Sequence, residues 1–223
     1  MKSYFKKEMA LLLTLLALTA GCGREAPPAE EGKIPVAASF GAMEKLTEAI
    51  GGDAVSISVM VPEGIEPHDF EPRAGDLIRL KQARVFVYNG MGMEHWAEKA
   101  LQSAGAENQV VVRASEKVVP IPLEDEEERE EHGDYDPHTW LGLSEAKEEA
   151  RAIRDGLIAA SPENRDLFMK NYDTFAKSID SLQQEYREKL AKAPRKELVT
   201  GHAAFGYLAR DFSLTQELSL IHI

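Results

Sequence analysis

Four short apolar runs alternate with helical stretches over the first half of the chain, and that alternation restricts the fold more than any other feature. The runs lie at residues 34–39, 55–61, 85–88 and 110–112, and the stretches at 43–50, 76–83 and 94–103 carry helical spacing. Val55, Ile57, Val59 and Val61 share one face of a strand, while Val85-Phe86-Val87-Tyr88 reads as a buried strand ending at Asn89-Gly90. Strands that alternate with helices in this way predict an α/β fold, a parallel sheet with helices on both faces. Ligand-binding loops of such sheets sit at the carboxyl ends of the strands.

The second half has a different period. The chain is helical from Ser144, and Ser161-Pro162 reads as a helix start, with Ser at the N-cap and Pro in the first turn. Phe168, Tyr172, Phe175, Ile179, Leu182, Tyr186 and Leu190 then recur every three or four residues. This predicts one long amphipathic linking helix over 162–193, roughly 45 Å at 1.5 Å per residue. Residues 197–200 read as a strand and 203–210 as a helix, the beginning of a second α/β lobe. A lobe of usual size needs about 50 residues or more, so the second lobe is expected to be truncated. The apolar tail 218–223 has no strand or helix logic and is expected not to be native.

The amino-terminal segment is an address. Lys2, Lys6 and Lys7 precede an apolar run at 9–20, too short for a stable bilayer span and suited to a signal peptide. The run ends in Leu18-Thr19-Ala20-Gly21-Cys22, which resembles a bacterial lipobox with Cys22 as the lipidated first mature residue. Cys22 is the single cysteine, so an internal disulfide and a cysteine-rich metal site are both excluded. The expected organisation is a signal peptide at 1–21, a lipidated stalk at 22–33, a first α/β lobe at 34–143, linking helices at 144–193 and the second lobe's start at 194–223. Lipid would tether the chain to the extracytoplasmic face of a membrane.

Charge narrows the partners. A net charge of −12 argues against nucleic acid, whose binding needs a basic face. Residues 124–136 concentrate that charge, with nine acidic side chains against Arg129 alone. Like charges at that density stay solvated, which predicts a mobile loop. It carries His132 beside Glu130 and Glu131, an auxiliary cation collector or a solvated spacer.

Three of the six histidines lie in loops of similar character. His68 follows Pro67, His138 follows Pro137 and His202 follows Gly201, so the backbone before each is locally fixed. Three neutral imidazoles suit Zn²⁺, whereas magnesium and calcium want oxygen ligands. His95, beside Trp96 on a helix, reads as structural or surface, and His222 lies in the doubtful tail. The same three histidines with a water would also describe a zinc hydrolase. The chain carries no His-Glu-x-x-His helix, and only Asp69 and Glu71 lie near as bases.

Pro67-His68-Asp69-Phe70-Glu71-Pro72, Tyr88-Asn89-Gly90, Asp136-Pro137-His138-Thr139-Trp140-Leu141 and Gly201-His202-Ala203-Ala204-Phe205-Gly206-Tyr207-Leu208 stand in that order. Together they resemble the zinc branch of the metal-specific solute-binding lipoproteins of bacterial ABC importers, over about residues 34–216. The resemblance implies two α/β lobes joined by a long rigid helix, with metal in the cleft between them. It implies His68, His138 and His202 as ligands, with a fourth position filled by an acidic residue of the second lobe or by water. It further implies a monomer that captures Zn²⁺ and delivers it to a membrane permease, without making or breaking a bond. Manganese- and iron-type relatives commonly carry Glu at the third place, so His202 separates the zinc reading from its nearest rival. Some relatives are reported as surface adhesins, and the sequence offers no distinct patch for that role.

Overall fold

The computed structural model describes residues 32–219 apart from 107, 125, 127, 128, 131 and 132. Residues 1–31, with the expected signal peptide and Cys22, and Glu131, His132 and residues 220–223 lie outside the described residues.

Strands β1 (Ile34–Ala38), β2 (Val55–Val59), β3 (Val85–Tyr88) and β4 (Val110–Arg113) form one parallel sheet in the order β2-β1-β3-β4. The central strands are apolar on both faces because both are covered: Val36, Ala37, Ala38, Val85, Phe86 and Val87 are all buried. At the β2 edge, Val55 and the following Val61 are buried, while Ile57 and Val59 are half-buried. Helix α1 (Gly41–Gly51) joins β1 to β2, α2 (Ala74–Gln82) joins β2 to β3, and α3 (Ala97–Ala104) joins β3 to β4. The first crossover steps one way along the sheet and the next two step the other way. Right-handed connections therefore put α1 on one face and α2 and α3 on the opposite face. Consistent with this, α2 packs on α3, and α1 packs on helices α4 (Leu143–Ala160) and α5 (Arg165–Ala191). The reversal opens a crevice beyond the carboxyl ends of β1 and β3.

Several elements differ from the sequence expectation for local reasons. Helix α3 starts at Ala97 rather than Glu94, because the Glu94 carboxyl turns back onto the N–H groups of Asn89 and Gly90. The acidic segment is more ordered than a free loop. Pro122 and Tyr135 form an antiparallel bridge that draws its ends together, and Glu126, Arg129 and Glu130 are helical and exposed. The long helix is preceded by a separate 3₁₀ turn, Pro162–Asn164, and Ser161 bonds the side chains of Glu163 and Asn164 instead of capping the helix. At 27 residues α5 is about 40 Å long. Its first half is anchored by Phe168 and Tyr172, and by Asn171 donating to the Ile50 carbonyl at 2.9 Å. Burying a side chain such as Phe168 contributes about 1.5–3 kcal/mol.

Beyond α5, β5 (Glu197–Thr200), α6 (Gly206–Phe212) and β6 (Thr215–Leu218) form a parallel two-stranded unit. The helix begins three residues later than the expected 203, because the His202 loop continues to Phe205. Leu218, expected in a structureless tail, ends β6 opposite Thr200.

Candidate metal centre

The segment carrying His138 lies against the ends of β1 and β3. Asn89, the first residue after β3, donates through Nδ2 to the carbonyls of Pro137 at 2.8 Å and Gly90 at 3.0 Å. Its Oδ1 accepts from the Thr139 hydroxyl at 2.8 Å. Below this, the buried Glu94 carboxyl accepts from Ser39 Oγ at 2.6 Å and from the N–H groups of Asn89 at 2.8 Å and Gly90 at 2.9 Å. Gly90 stands at φ +85°, the left-handed region that favours glycine. Burial pushes the Glu94 carboxyl upward, while these hydrogen bonds pull it down.

Asp136 aims the His138 ring. Its Oδ1 stands 2.9 Å from His138 Nδ1 and accepts the His138 backbone N–H at 2.9 Å, and both residues are buried. A carboxylate at Nδ1 assigns the proton to that nitrogen and leaves the Nε2 lone pair facing outward, the arrangement that suits a metal ligand. Asp136 is itself held from the second unit. Tyr207 Oη donates to the Asp136 carbonyl at 2.8 Å and accepts the Ile121 N–H at 3.2 Å. Burial pushes the Tyr207 phenol up to about 12, so it remains a neutral donor. Gly206 permits this approach, because a Cβ there would stand 2.8 Å from Asp136 Oδ2.

His202 sits in the exposed loop after β5. Its carbonyl accepts from Thr200 Oγ1 and from Gln216 Nε2, each at 2.9 Å. Gln216, on β6, also donates to Thr200 Oγ1 at 2.7 Å and accepts the Phe205 N–H at 3.1 Å. One amide thus braces both sides of the loop. His202 Nε2 stands 3.1 Å from His138 Nε2. Two nitrogens bound tetrahedrally to one zinc at about 2.0–2.1 Å would stand about 3.3 Å apart.

His68 lies buried in the loop between β2 and α2, its ring centroid 5.6 Å from that of His138 in an edge-on arrangement. The structure therefore brings the rings of His68 and His202 each beside that of His138. Among the described residues no group of three His, Cys, Asp or Glu side chains is already set to hold an ion. The His138–His202 pair has the right spacing, and the His68 ring centroid lies 5.6 Å from that of His138. Both members of that pair line an open cleft of about 830 Å³ with Phe40, Met93 and Trp140. His68 lines an adjoining hollow of about 580 Å³ with Phe70, Trp96 and His95. The exposed His95 ring is 6.4 Å from that of His68. Glu130 is exposed on the acidic segment.

Sequence reading assigned no role to Asp136, Asn89, Thr139, Tyr207, Gln216 or Glu149, although the first four lie inside the quoted motifs. An Asn-Gly directly after a central strand is a signal for a switch-point residue. Glu149 left a signal too, a carboxyl within the apolar stripe of Ala146, Ala150, Ile153 and Leu157.

Comparison with known proteins gives the family of the chain. Residues 36–221 match the family described as ZnuA, zinc-uptake complex component A, periplasmic. The chain belongs to this family. Among ZnuA-family relatives it is 32% identical to the zinc-binding lipoprotein AdcA of Streptococcus pneumoniae, over 95% of this chain and 43% of that protein. It is also 32% identical to the high-affinity zinc uptake system protein ZnuA of Bacillus subtilis, over 95% of this chain and 70% of that protein. The crystal structure of Zn(II)-bound AdcA from Streptococcus pneumoniae superposes with a TM-score of 0.76 at 31% identity, covering 84% of this chain and 39% of that one. The metal-dependent lipoprotein YcdH of Bacillus subtilis gives 0.76 at 32% identity, covering 86% and 68%. The chain thus spans less than half the length of the AdcA relative and about two thirds of the Bacillus proteins. The expected parallel α/β lobe with its long helix is the fold of these ZnuA-family structures.

Proposed function

We propose that this chain captures Zn²⁺ outside the cytoplasm with His68, His138 and His202 and delivers it to an ABC-type permease. The observation that carries this reading is the His138–His202 pair, two Nε2 atoms 3.1 Å apart with Asp136 fixing the tautomer of one. Rotation of His68 onto the pair supplies the third nitrogen, and water or a carboxylate supplies the fourth position. An all-imidazole protein set suits zinc better than manganese, which prefers oxygen-rich sites. The names of the relatives weigh the same way, since AdcA is described as zinc-binding and ZnuA as part of zinc uptake.

The chain acts as a monomer tethered through a lipid on Cys22. The names of the relatives support the tether, as AdcA is described as a lipoprotein. The acidic segment, with Glu130, Glu131 and His132, is an auxiliary collector rather than part of the tight site.

Titration of the full chain with Zn²⁺ tests the reading. One tight site is expected, with His68→Ala, His138→Ala and His202→Ala each weakening it more than about 100-fold. That exceeds the 10–100-fold typical of losing a supporting partner. Unchanged affinity in all three variants would sink the proposal. Deleting residues 124–131 is expected to leave the tight site intact.

A further inference from the structure

The hydrogen atoms around Thr139 can be counted. Its Oγ1 contacts Asn89 Oδ1 at 2.8 Å on one side and Glu149 Oε1 on the other, and all three residues are fully buried. A threonine hydroxyl has one hydrogen to give. The Asn89 amide cannot flip, because its Nδ2 already faces the carbonyls of Pro137 and Gly90. Oδ1 therefore faces Thr139 and must receive the threonine hydrogen. The contact between Thr139 and Glu149 then holds no hydrogen unless the glutamate supplies one.

The surroundings of Glu149 favour that proton. Among the described residues its second oxygen, Oε2, is buried without a hydrogen-bond partner, a costly state for an anion. The charged groups facing it are Glu145 on its own helix and Glu94 before α3, both acidic. Helix α1, packed on α4, buries Met43, Thr47 and Ile50, and α5 buries Phe168 and Tyr172, so neither brings a buried cation. The Glu145 carboxyl is already engaged by Arg210 at 2.8 Å. Burial and the two neighbouring acids push the Glu149 carboxyl up to about 8.

We propose that Glu149 stays protonated at neutral pH and is a positioning residue for His138, acting through Thr139 and Asn89 on the Pro137 carbonyl. The relay runs from the Glu149 O–H to Thr139 Oγ1, from the Thr139 O–H to Asn89 Oδ1, and from Asn89 Nδ2 to Pro137 O. It holds Pro137 and Thr139, the residues on either side of His138, against the end of β3. The positioning role rests on the reading of His138 as a zinc ligand; the proton assignment does not.

Infrared difference spectroscopy of the full chain against Glu149→Gln tests the proton without any metal. A protonated-carboxyl band is expected at pH 7, absent in Glu149→Gln and lost from the unsubstituted chain above about pH 9. Its absence at pH 7 would overturn the assignment. Zinc titration tests the positioning. Glu149→Met is expected to weaken Zn²⁺ binding about tenfold, within the range for losing a supporting partner. Glu149→Gln, whose amide N–H can donate to Thr139, is expected to restore it. If Gln is as impaired as Met, or if neither differs from the parent, the positioning role is overturned. Should Glu149→Met fail to fold, Thr139→Val, which breaks the same relay, takes its place. A parent chain that shows the band but binds no Zn²⁺ would overturn the metal-site reading and leave the proton in place.

Discussion

His138 Nε2 and His202 Nε2 face each other at 3.1 Å although 64 residues separate them in the chain. One is buried on the first lobe and the other is exposed on the second unit. The pair joins the two units at an open cleft.

The support behind His138 is separable from the ligand itself. Asp136→Asn is expected to weaken Zn²⁺ binding 10–100-fold, the cost typical of a lost supporting carboxylate. The amide can turn its NH₂ toward Nδ1, which would move the ring proton to Nε2 and block the lone pair. Calorimetric titration against the parent chain checks this, and unchanged affinity would contradict the tautomer assignment.

Gln216 should matter for affinity more than for folding. Gln216→Leu removes donors from the His202 carbonyl and Thr200 and an acceptor from Phe205, in a loop that faces solvent. Faster Zn²⁺ release in stopped-flow chelator competition is expected, with a change in denaturation midpoint near that of ordinary surface substitutions, about 0.5 kcal/mol or less.

Tyr207→Phe leaves the Ile121 N–H without its acceptor and the Asp136 carbonyl without its donor. A loss of about 1–3 kcal/mol is expected, read from urea unfolding. Asp211→Ala should cost about 1–2 kcal/mol. Its carboxylate accepts the N–H groups of Leu143 at 2.6 Å and Ser144 at 3.0 Å, capping α4 from the neighbouring helix α6.

Stability should fall as pH rises. Burial holds the carboxyls of Glu94, Glu145 and Glu149 above their ordinary range, Glu149 at about 8. In the unfolded chain these groups ionise near pH 4.5, so above that pH the folded state holds more protons. The contribution of Glu149 is complete below about pH 4.5 and is lost as pH rises to about 8, at up to about 1.4 kcal/mol per pH unit. Urea unfolding across that window should show the decline, and Glu149→Gln should flatten it.

What could be read from the residues follows from how each element is buried. β1, β3 and β4 stand out as apolar runs at regular spacing. β6 did not, because Thr215-Gln216-Glu217-Leu218 is largely exposed and acquires its extended form by pairing with β5. The turn before α3 was hidden because helical spacing cannot show that Glu94 folds back onto the β3 end. The three loop histidines stand out by their fixed backbones and imidazole chemistry, and the structure brings the rings of His68 and His202 each beside that of His138. Asn89 and Glu149 each left a local signal, but their link through Thr139 could not be read, since only the fold brings residues 60 positions apart together.

A single phenol oxygen ties the carboxyl-terminal unit to the aim of the His138 imidazole. Tyr207 belongs to the carboxyl-terminal unit, yet it grips the main chain of the residue that steers His138. Swinging that unit away would tug on the steering carboxylate as well as withdraw His202. In the proposed zinc site, departure of one unit would thereby loosen two of the three nitrogens together, so release of the ion is expected as one concerted event.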